Sequence, residues 1–274
     1  MRTVPCPLLG HSVGLPDRVE RIVSLSPSLT DCVVQLGFRD RLVGRSAWCW
    51  RPEAIEELPV VGSYTGVREE VLHRLDPDLI LMTSGVQEEL ARKLARAGEP
   101  VYVVPLPTTP WGILENVVIV AVAMGEIEAA EPLVARLSDR LDALRGALTP
   151  RNVYVEIDLG GPVTIGEGSY AYWALRWVGL SPLIPRGTAA WSTPPTDWLE
   201  TIRPEVVIYD PQPRRREDAD TVRERFESRG LQRWFENDPA VVVTEGDVIA
   251  HYGPWFIGEG FPDLVRRISE RNEA

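Results

Sequence analysis

From Arg21 onward, short β-branched runs alternate with longer stretches in which apolar residues recur every three to four positions. This alternation predicts strands and helices in turn. Arg21 to Leu25 (RIVSL), Leu42 to Arg45, the VVG at Val60, Leu79 to Met82 and Val101 to Val104 read as strands of one sheet. Between them LTDCVVQLG, GVREEVLHRL and QEELARKLARAG carry the helical period, the last closing at Gly98, where a left-handed cap is cheapest. A second set follows: NVYVEI, the VTI at Val163, VVIY at Val206 and VVVTE at Val241 as strands, with SYAYWALRWVG, TDWLETI, ADTVRERFESRG and FPDLVRRISER as helices. Strand and helix in alternation predict the α/β class, here two Rossmann-like lobes with central, mostly parallel sheets. Between the sets the helical period persists, and Ile127 to Leu148 is expected as a single backbone helix about 33 Å long at 1.5 Å per residue. The expected division is an irregular leader at 1–20, an N-terminal lobe at 21–126, the linking helix at 127–148 and a C-terminal lobe at 149–274. A helical connector resists bending and permits only modest opening of a cleft.

A chain of 274 residues is near the limit of a single hydrophobic core, which agrees with two lobes. With 44% hydrophobic and 25% charged residues it falls among globular proteins, and no run of about 18 uninterrupted apolar residues marks an integral membrane protein. The net charge of −11 disfavours nucleic acid and anionic lipid as partners. Three cysteines, Cys6, Cys32 and Cys49, make an odd count without CxxC spacing, so neither a disulfide framework nor a thiolate zinc site is expected. Cys32 reads as a small buried hydrophobe, and whether Cys6 and Cys49 pair is left open. The opening residues MRTVPCPLLGHSVG are broken by Pro5, Pro7 and Gly10 and form no secretory apolar segment.

Enzyme signals are missing: there is no GxSxG, HExxH, P-loop or GxGxxG between strand and helix. The histidines are scattered as His11, His73 and His251, and only His251, in VIAHYGPWF, stands among aromatics. No catalytic residue, metal site or resident cofactor is therefore expected, and the chain reads as a binding protein rather than an enzyme. The aromatics carry more information, because there are nine Trp against five Phe. Trp48 and Trp50 follow the LVGR strand, Tyr64 sits in VGSYTGV, Trp111 in PLPTTPW, Trp191 in GTAAWSTPP and Trp255 in HYGPWF, all in loops rich in Gly, Pro, Ser or Thr. Any one of these could simply cover a strand end. Six at loops after strands of two lobes point to a wide, aromatic-walled interlobe cleft, since open α/β sheets bind ligands outside their strand ends. Trp173, Trp177, Trp198 and Trp234 fall in helical patterns and are expected in cores.

RIVSLSPSLTDCVVQLGFRDRLVGRSAWCWRPEA, LPVVGSYTGVREEVLHRLDPDLIL, GEGSYAYWALRWVGL and WSTPPTDWLETIRPEVVIYD resemble the helical-backbone substrate-binding proteins of bacterial ABC importers for vitamin B12, siderophores and haem. The resemblance runs in register from about Arg18 and is greatest to the vitamin B12-binding members; Asp31 stands where Glu is usual. It implies capture of a corrinoid such as cobalamin, contacted by Trp48 and Trp50, by Ser63, Tyr64 and Gly66, and by Trp191, His251, Tyr252 and Trp255 of the second lobe. A corrin is a broad amphipathic disc that indole and phenol faces can cover while loop amides serve its edge. The resemblance also implies that Glu70 and Asp197 dock on arginines of an ABC importer permease, although acidic residues at helix starts gain about 0.3–1 kcal/mol from the dipole in any case. It implies a monomer working outside the cytoplasmic membrane. The alternatives are a ferric siderophore, calling on Arg45, Arg68 and Arg186; haem, calling on Tyr252 or His251 as axial ligand; or a cytoplasmic corrinoid or metal-cofactor binder on the same fold.

Overall fold

The computed structural model describes residues 1–187 and 189–271, so the last three positions of the expected second lobe lie outside the described residues. Two compact units are resolved: unit 1 takes 1–106, 111–138 and 253–255, and unit 2 takes 107–110, 139–252 and the remainder from 256.

Unit 1 opens with β1 (Arg2–Cys6) and β2 (His11–Leu15), then runs through β3 (Ile22–Ser24), α1 (Pro27–Gln35), β4 (Leu42–Ser46), β5 (Val60–Gly62), α2 (Glu69–Leu75), β6 (Leu79–Thr83), α3 (Glu88–Arg96), β7 (Val101–Val104) and α4 (Pro110–Met124). α5 (Ala130–Ala143) carries the chain into unit 2. The main sheet of unit 1 is parallel throughout, in the order β5-β4-β3-β6-β7. β6 and β7 are buried at every position. That is why they read as unbroken apolar runs: helices cover both faces of such a sheet.

The leader corrects the expectation of irregular chain. β1 and β2 form an antiparallel hairpin with Val4, Cys6, Val13 and Leu15 turned inward. The signal was the period-two spacing of those four residues, masked by Pro5, Pro7 and Gly10. Tyr102 donates its hydroxyl to Pro5 O at 3.0 Å and the Val103 N–H points to Cys6 Sγ at 3.4 Å, which fixes the hairpin beside β7. Arg2 donates to Pro16 O at 3.0 Å, Val122 O at 2.7 Å and Ala123 O at 2.5 Å, so its guanidinium serves carbonyls that end α4. Cys6, Cys32 and Cys49 are all free thiols, and all are buried.

The connecting helix is also shorter than Ile127 to Leu148. A single 3₁₀ turn, Ile127–Ala129, precedes α5, and α5 stops at Ala143, giving about 21 Å of α-helix. It stops because Gly146 adopts φ +63° and because the N–H groups of Gly146 and Leu148 donate outside the helix, to Trp177 O at 2.9 Å and Val178 O at 2.8 Å.

Unit 2 contains β8 (Asn152–Asp158), β9 (Pro162–Ile165), α6 (Tyr170–Trp177), β10 (Ser181–Pro182), β11 (Trp191–Ser192), α7 (Thr196–Thr201), β12 (Val206–Asp210), α8 (Ala219–Ser228), β13 (Ala240–Val243) and α9 (Phe261–Glu270). Its sheet runs β11-β9-β8-β12-β13, with β10 also on β8; β9 is antiparallel to β8, while β10, β12 and β13 follow the parallel rule. The core beside β12 is aromatic. Tyr154 meets Trp234 edge-on at 4.9 Å between centroids, Phe226, Tyr209 and Phe235 join the cluster, and Trp234 Nε1 donates to Leu199 O at 2.9 Å. Tyr154 donates its hydroxyl to Glu156 Oε2 at 2.8 Å, and Arg229 reaches Glu156 Oε1 at 2.6 Å. The buried carboxylate is thereby paired on both oxygens, and burial pushes the tyrosine hydroxyl far above its ordinary pKa. Trp234 is a core residue as expected and Trp198 packs against the same cluster. Trp173 is not: it is 44% exposed, with Nε1 donating to Glu167 O at 2.9 Å.

Gly125 has φ +80°, and a Cβ there would lie 2.2 Å from Asp17 O, so Gly125→Ala is expected to cost about 1–3 kcal/mol, measured as a lowered urea midpoint. Asp210 is fully buried at the end of β12, and burial pushes its carboxyl up to about 6 despite hydrogen bonds that pull the other way. The native state therefore holds this proton more tightly than the unfolded chain. Its stabilising contribution is complete below about pH 4 and is lost as pH rises through about 6. The unfolding free energy of the wild type, taken relative to Asp210→Asn, should fall by on the order of 2–3 kcal/mol between pH 4 and pH 7; a flat difference would contradict the assignment.

Candidate functional site

All five strands of the unit 1 sheet leave at the same edge, so the segments after β3, β4, β5, β6 and β7 gather there. The segment after β4 carries Trp48 and Trp50. Its start is fixed by the Trp48 N–H donating to Ser46 Oγ at 3.1 Å, and Trp48 stands 49% exposed. The segment after β5 is a tight hairpin closed by Ser63 N–H to Gly66 O at 2.8 Å and a bridge between Gly62 and Val67. A Cβ at Gly62 would fall 2.2 Å from Gly66 O, so only glycine fits the approach. This hairpin presents Tyr64 against Trp48, with ring centroids 6.4 Å apart and planes 27° from parallel.

One buried amide ties these segments together. Gln87 accepts the Thr83 N–H at 2.9 Å and donates to Leu25 O at 3.0 Å and, more weakly, to Tyr64 O at 3.5 Å. It thus links the ends of β3 and β6 to the Tyr64 hairpin. Under the same edge Thr30 donates to Cys49 Sγ at 3.1 Å, and burial pushes the Cys49 thiol up, which leaves it inert.

The second aromatic group of unit 1 is a stack. The Arg51 guanidinium lies 4.2 Å from the Trp50 centroid and 3.6 Å from that of Trp255. Trp255 was expected with the second lobe, but Gly253–Trp255 groups with unit 1. The Trp255 N–H donates to Asp31 Oδ2 at 2.7 Å, so the carboxylate of α1 holds this distant segment in place. Asp31 was noted in the sequence only as a departure from the usual Glu. Trp111 does not sit in a loop: it follows Pro110 in the first turn of α4 and is 38% exposed.

In unit 2, Trp191 lies in β11, paired opposite Ile165 of β9. Tyr170, at the start of α6, meets Trp191, Tyr252 and Phe256 edge-on at 5.9, 6.2 and 5.1 Å. Tyr170 is thus the hub that joins two of the expected contact residues, Trp191 and Tyr252. Sequence reading missed it, because SYAYWALRWVG carries a helical period and a residue on that period reads as core. His251 is buried, with Nδ1 3.7 Å from Asp247 Oδ2. Glu70 and Asp197 lie exposed in the first turns of α2 and α7, each in a helix without a side-chain N-cap.

Of the arginines considered for an anionic chelate, Arg45 is spent on the backbone, donating to Ser46 O, Cys49 O and Glu56 O at 3.2, 3.0 and 2.9 Å. Arg68 and Arg186 are exposed. Among the described residues no group of three or more His, Cys, Asp or Glu is arranged to hold a metal ion, and no helix is long and apolar enough to cross a membrane.

Comparison with known proteins places this geometry. A cobalamin-binding protein of Halobacterium salinarum is 30% identical over 178 residues, covering 61% of this chain and 47% of the relative, so the match spans about half the length of that protein. A vitamin B12-binding protein of Vibrio campbellii is 23% identical over 193 residues, 69% of this chain and 70% of the relative. Among solved structures, the periplasmic vitamin B12-binding protein of Vibrio cholerae superposes with a TM-score of 0.73 at 19% identity, over 93% of this chain and 99% of its own. A periplasmic haem-binding protein of Roseiflexus superposes equally well, with a TM-score of 0.73 at 19% identity over 92% and 98%. At such identities the superpositions show a shared fold. The sequence profile described as periplasmic binding protein matches residues 22–236, and the chain belongs to that family.

Proposed function

We propose that this chain captures a corrinoid outside the cytoplasmic membrane and delivers it to an ABC importer. The observation that carries the reading is the aromatic set itself. Trp48 and Tyr64 stack at the strand-end edge of unit 1, and Trp191 and Tyr252 gather around Tyr170 in unit 2. Such faces bury a broad amphipathic ring without demanding charge on it. Relatives named for cobalamin or vitamin B12 support this ligand class. A ferric siderophore is less well served, since Arg45 is committed to backbone carbonyls. Haem finds weaker support in the side chains: His251 is buried, and the Tyr252 ring packs edge-on against Tyr170. The reading is one of binding without catalysis, by a monomer.

In this reading Trp48 and Tyr64 are the primary contacts, with Trp50, Ser63, Gly66, Trp191, Tyr252 and Trp255 around them. Titration of cyanocobalamin or cobinamide is expected to quench tryptophan fluorescence along a saturable isotherm, and Trp48→Ala combined with Tyr64→Ala to weaken binding by about 30-fold or more, as loss of about 1–2 kcal/mol for each of the two rings requires. A chain that ignores both corrinoids but develops a Soret band with haem would transfer the assignment to haem.

Glu70 and Asp197 are proposed to meet arginines of the permease. Both lie on the surface in first turns, where the helix dipole already favours a carboxylate. Glu70→Arg combined with Asp197→Arg should leave corrinoid affinity unchanged and abolish corrinoid-dependent stimulation of importer ATPase in proteoliposomes. Undiminished stimulation would show that these carboxylates only complement their helix dipoles.

A further inference from the structure

Asp210 closes β12 with its carboxylate fully buried, and that carboxylate gathers the segment after β13. Oδ1 accepts the Val248 N–H at 3.0 Å and the Thr244 hydroxyl; Oδ2 accepts the N–H groups of Ile249 at 2.8 Å and Ala250 at 3.3 Å. The Thr244 hydroxyl in turn accepts the Gly246 N–H at 3.1 Å, and the Thr244 N–H donates to Tyr209 O at 2.9 Å. Three consecutive backbone N–H groups converging on one anion form a nest, filled here by the protein's own side chain. The next residues along the chain are His251 and Tyr252. From inside the nest, Ile249 O accepts the hydroxyl of Tyr170, the ring that packs on Trp191 and Tyr252.

We infer that Asp210 is the positioning residue of the unit 2 aromatic cluster: it fixes the backbone of 248–250 and, through Ile249 O and Tyr170, the places of Tyr252 and Trp191. The inference rests on the ligand reading above only in supposing that Tyr252 and Trp191 contact the ligand. The path from Asp210 to these rings runs through the backbone at Ile249 and the Tyr170 hydroxyl. An ionised carboxylate suits the task because it offers acceptors in both directions. An amide of the same shape would turn an NH₂ group toward either the Val248 N–H or the Ile249 and Ala250 N–H groups, setting donor against donor. Sequence distance hides the link, since Asp210 and Ile249 are 39 residues apart.

The test uses the full chain carrying Asp210→Asn, with Thr244→Val as a milder variant that removes the hydroxyl donor and leaves the three N–H groups. Hydrogen exchange followed residue by residue should show the amides of Val248, Ile249 and Ala250 losing protection in Asp210→Asn, while β12, β13 and all of unit 1 keep theirs. Cobinamide affinity should fall about 10- to 100-fold, as it does at metal sites when a group that orients a ligand is removed. Thr244→Val should show the same local pattern to a smaller degree, and it carries the test alone should Asp210→Asn not fold. Unchanged protection at 248–250, or loss spread evenly over unit 2, would overturn the inference. Absence of cobinamide binding by the wild type would instead remove the ligand reading, and the local exchange pattern would still decide the role of Asp210.

Discussion

In a parallel sheet every strand leaves at the same edge, and from this the rest of the architecture descends. Chain direction alone brings the segments after β3 to β7 together, although they are spread over more than 80 residues of sequence. The same directionality requires a crossover after each strand, which buries both faces of the sheet and selects continuous apolar runs such as LILMT and VYVV. The sheet supplies rigidity and the returning segments supply chemistry. Folding thus assembles Trp48, Tyr64 and their neighbours without any of them contributing to a strand.

Gathering segments at an edge is not the same as holding them still. Each strand-end segment leaves backbone groups unpaired by the sheet, and buried groups of that kind need partners. In this chain the partners are single polar side chains, buried at Gln87, Asp31 and Asp210 and half-buried at Arg45. Gln87 serves Leu25, Tyr64 and Thr83; Arg45 serves three carbonyls around Trp48 and Trp50; Asp31 takes the Trp255 N–H; Asp210 takes three N–H groups before His251. Every one of them lies outside the aromatic faces whose position it sets. Their burial raises the cost of losing any one, because the orphaned partner cannot turn to water.

Elements with strong periodicity were legible in the sequence. β3 to β7 and the helices α1 to α3 and α6 to α9 follow hydrophobic repeats within about two or three residues, and so the α/β class and the parallel sheet of unit 1 were readable directly. What escaped was determined by contact rather than by pattern. The β1–β2 hairpin is interrupted by prolines and glycine that read as loop, yet Val4, Cys6, Val13 and Leu15 find a shared face once β7 is beside them. The stop of α5 depends on carbonyls at the end of α6, some 30 residues on. Among candidate residues, Trp48, Trp50, Tyr64 and Trp255 were visible because aromatics in Gly/Pro-rich segments are compositionally odd. Tyr170, Gln87 and Asp210 were not, since a helical tyrosine, a glutamine and a strand-end aspartate look ordinary until their partners are known.

The arginine content shows why composition and site chemistry part company here. Twenty-eight arginines against one lysine suggest an abundance of anion-binding forks. Yet Arg2 and Arg45 direct their guanidinium groups at carbonyls, Arg229 at the buried Glu156, and Arg51 lies within 4.2 Å of two indole centroids. Used this way, the planar fork is a structural fastener that satisfies several acceptors at once, a task for which the ammonium of lysine has no fixed geometry. Part of the positive charge is thus absorbed into the scaffold, and the net charge of −11 is a background that disfavours anionic ligands. Recognition by aromatic faces follows shape and apolar area more than charge, which is the physical ground for preferring a broad, amide-fringed ring over an anionic chelate.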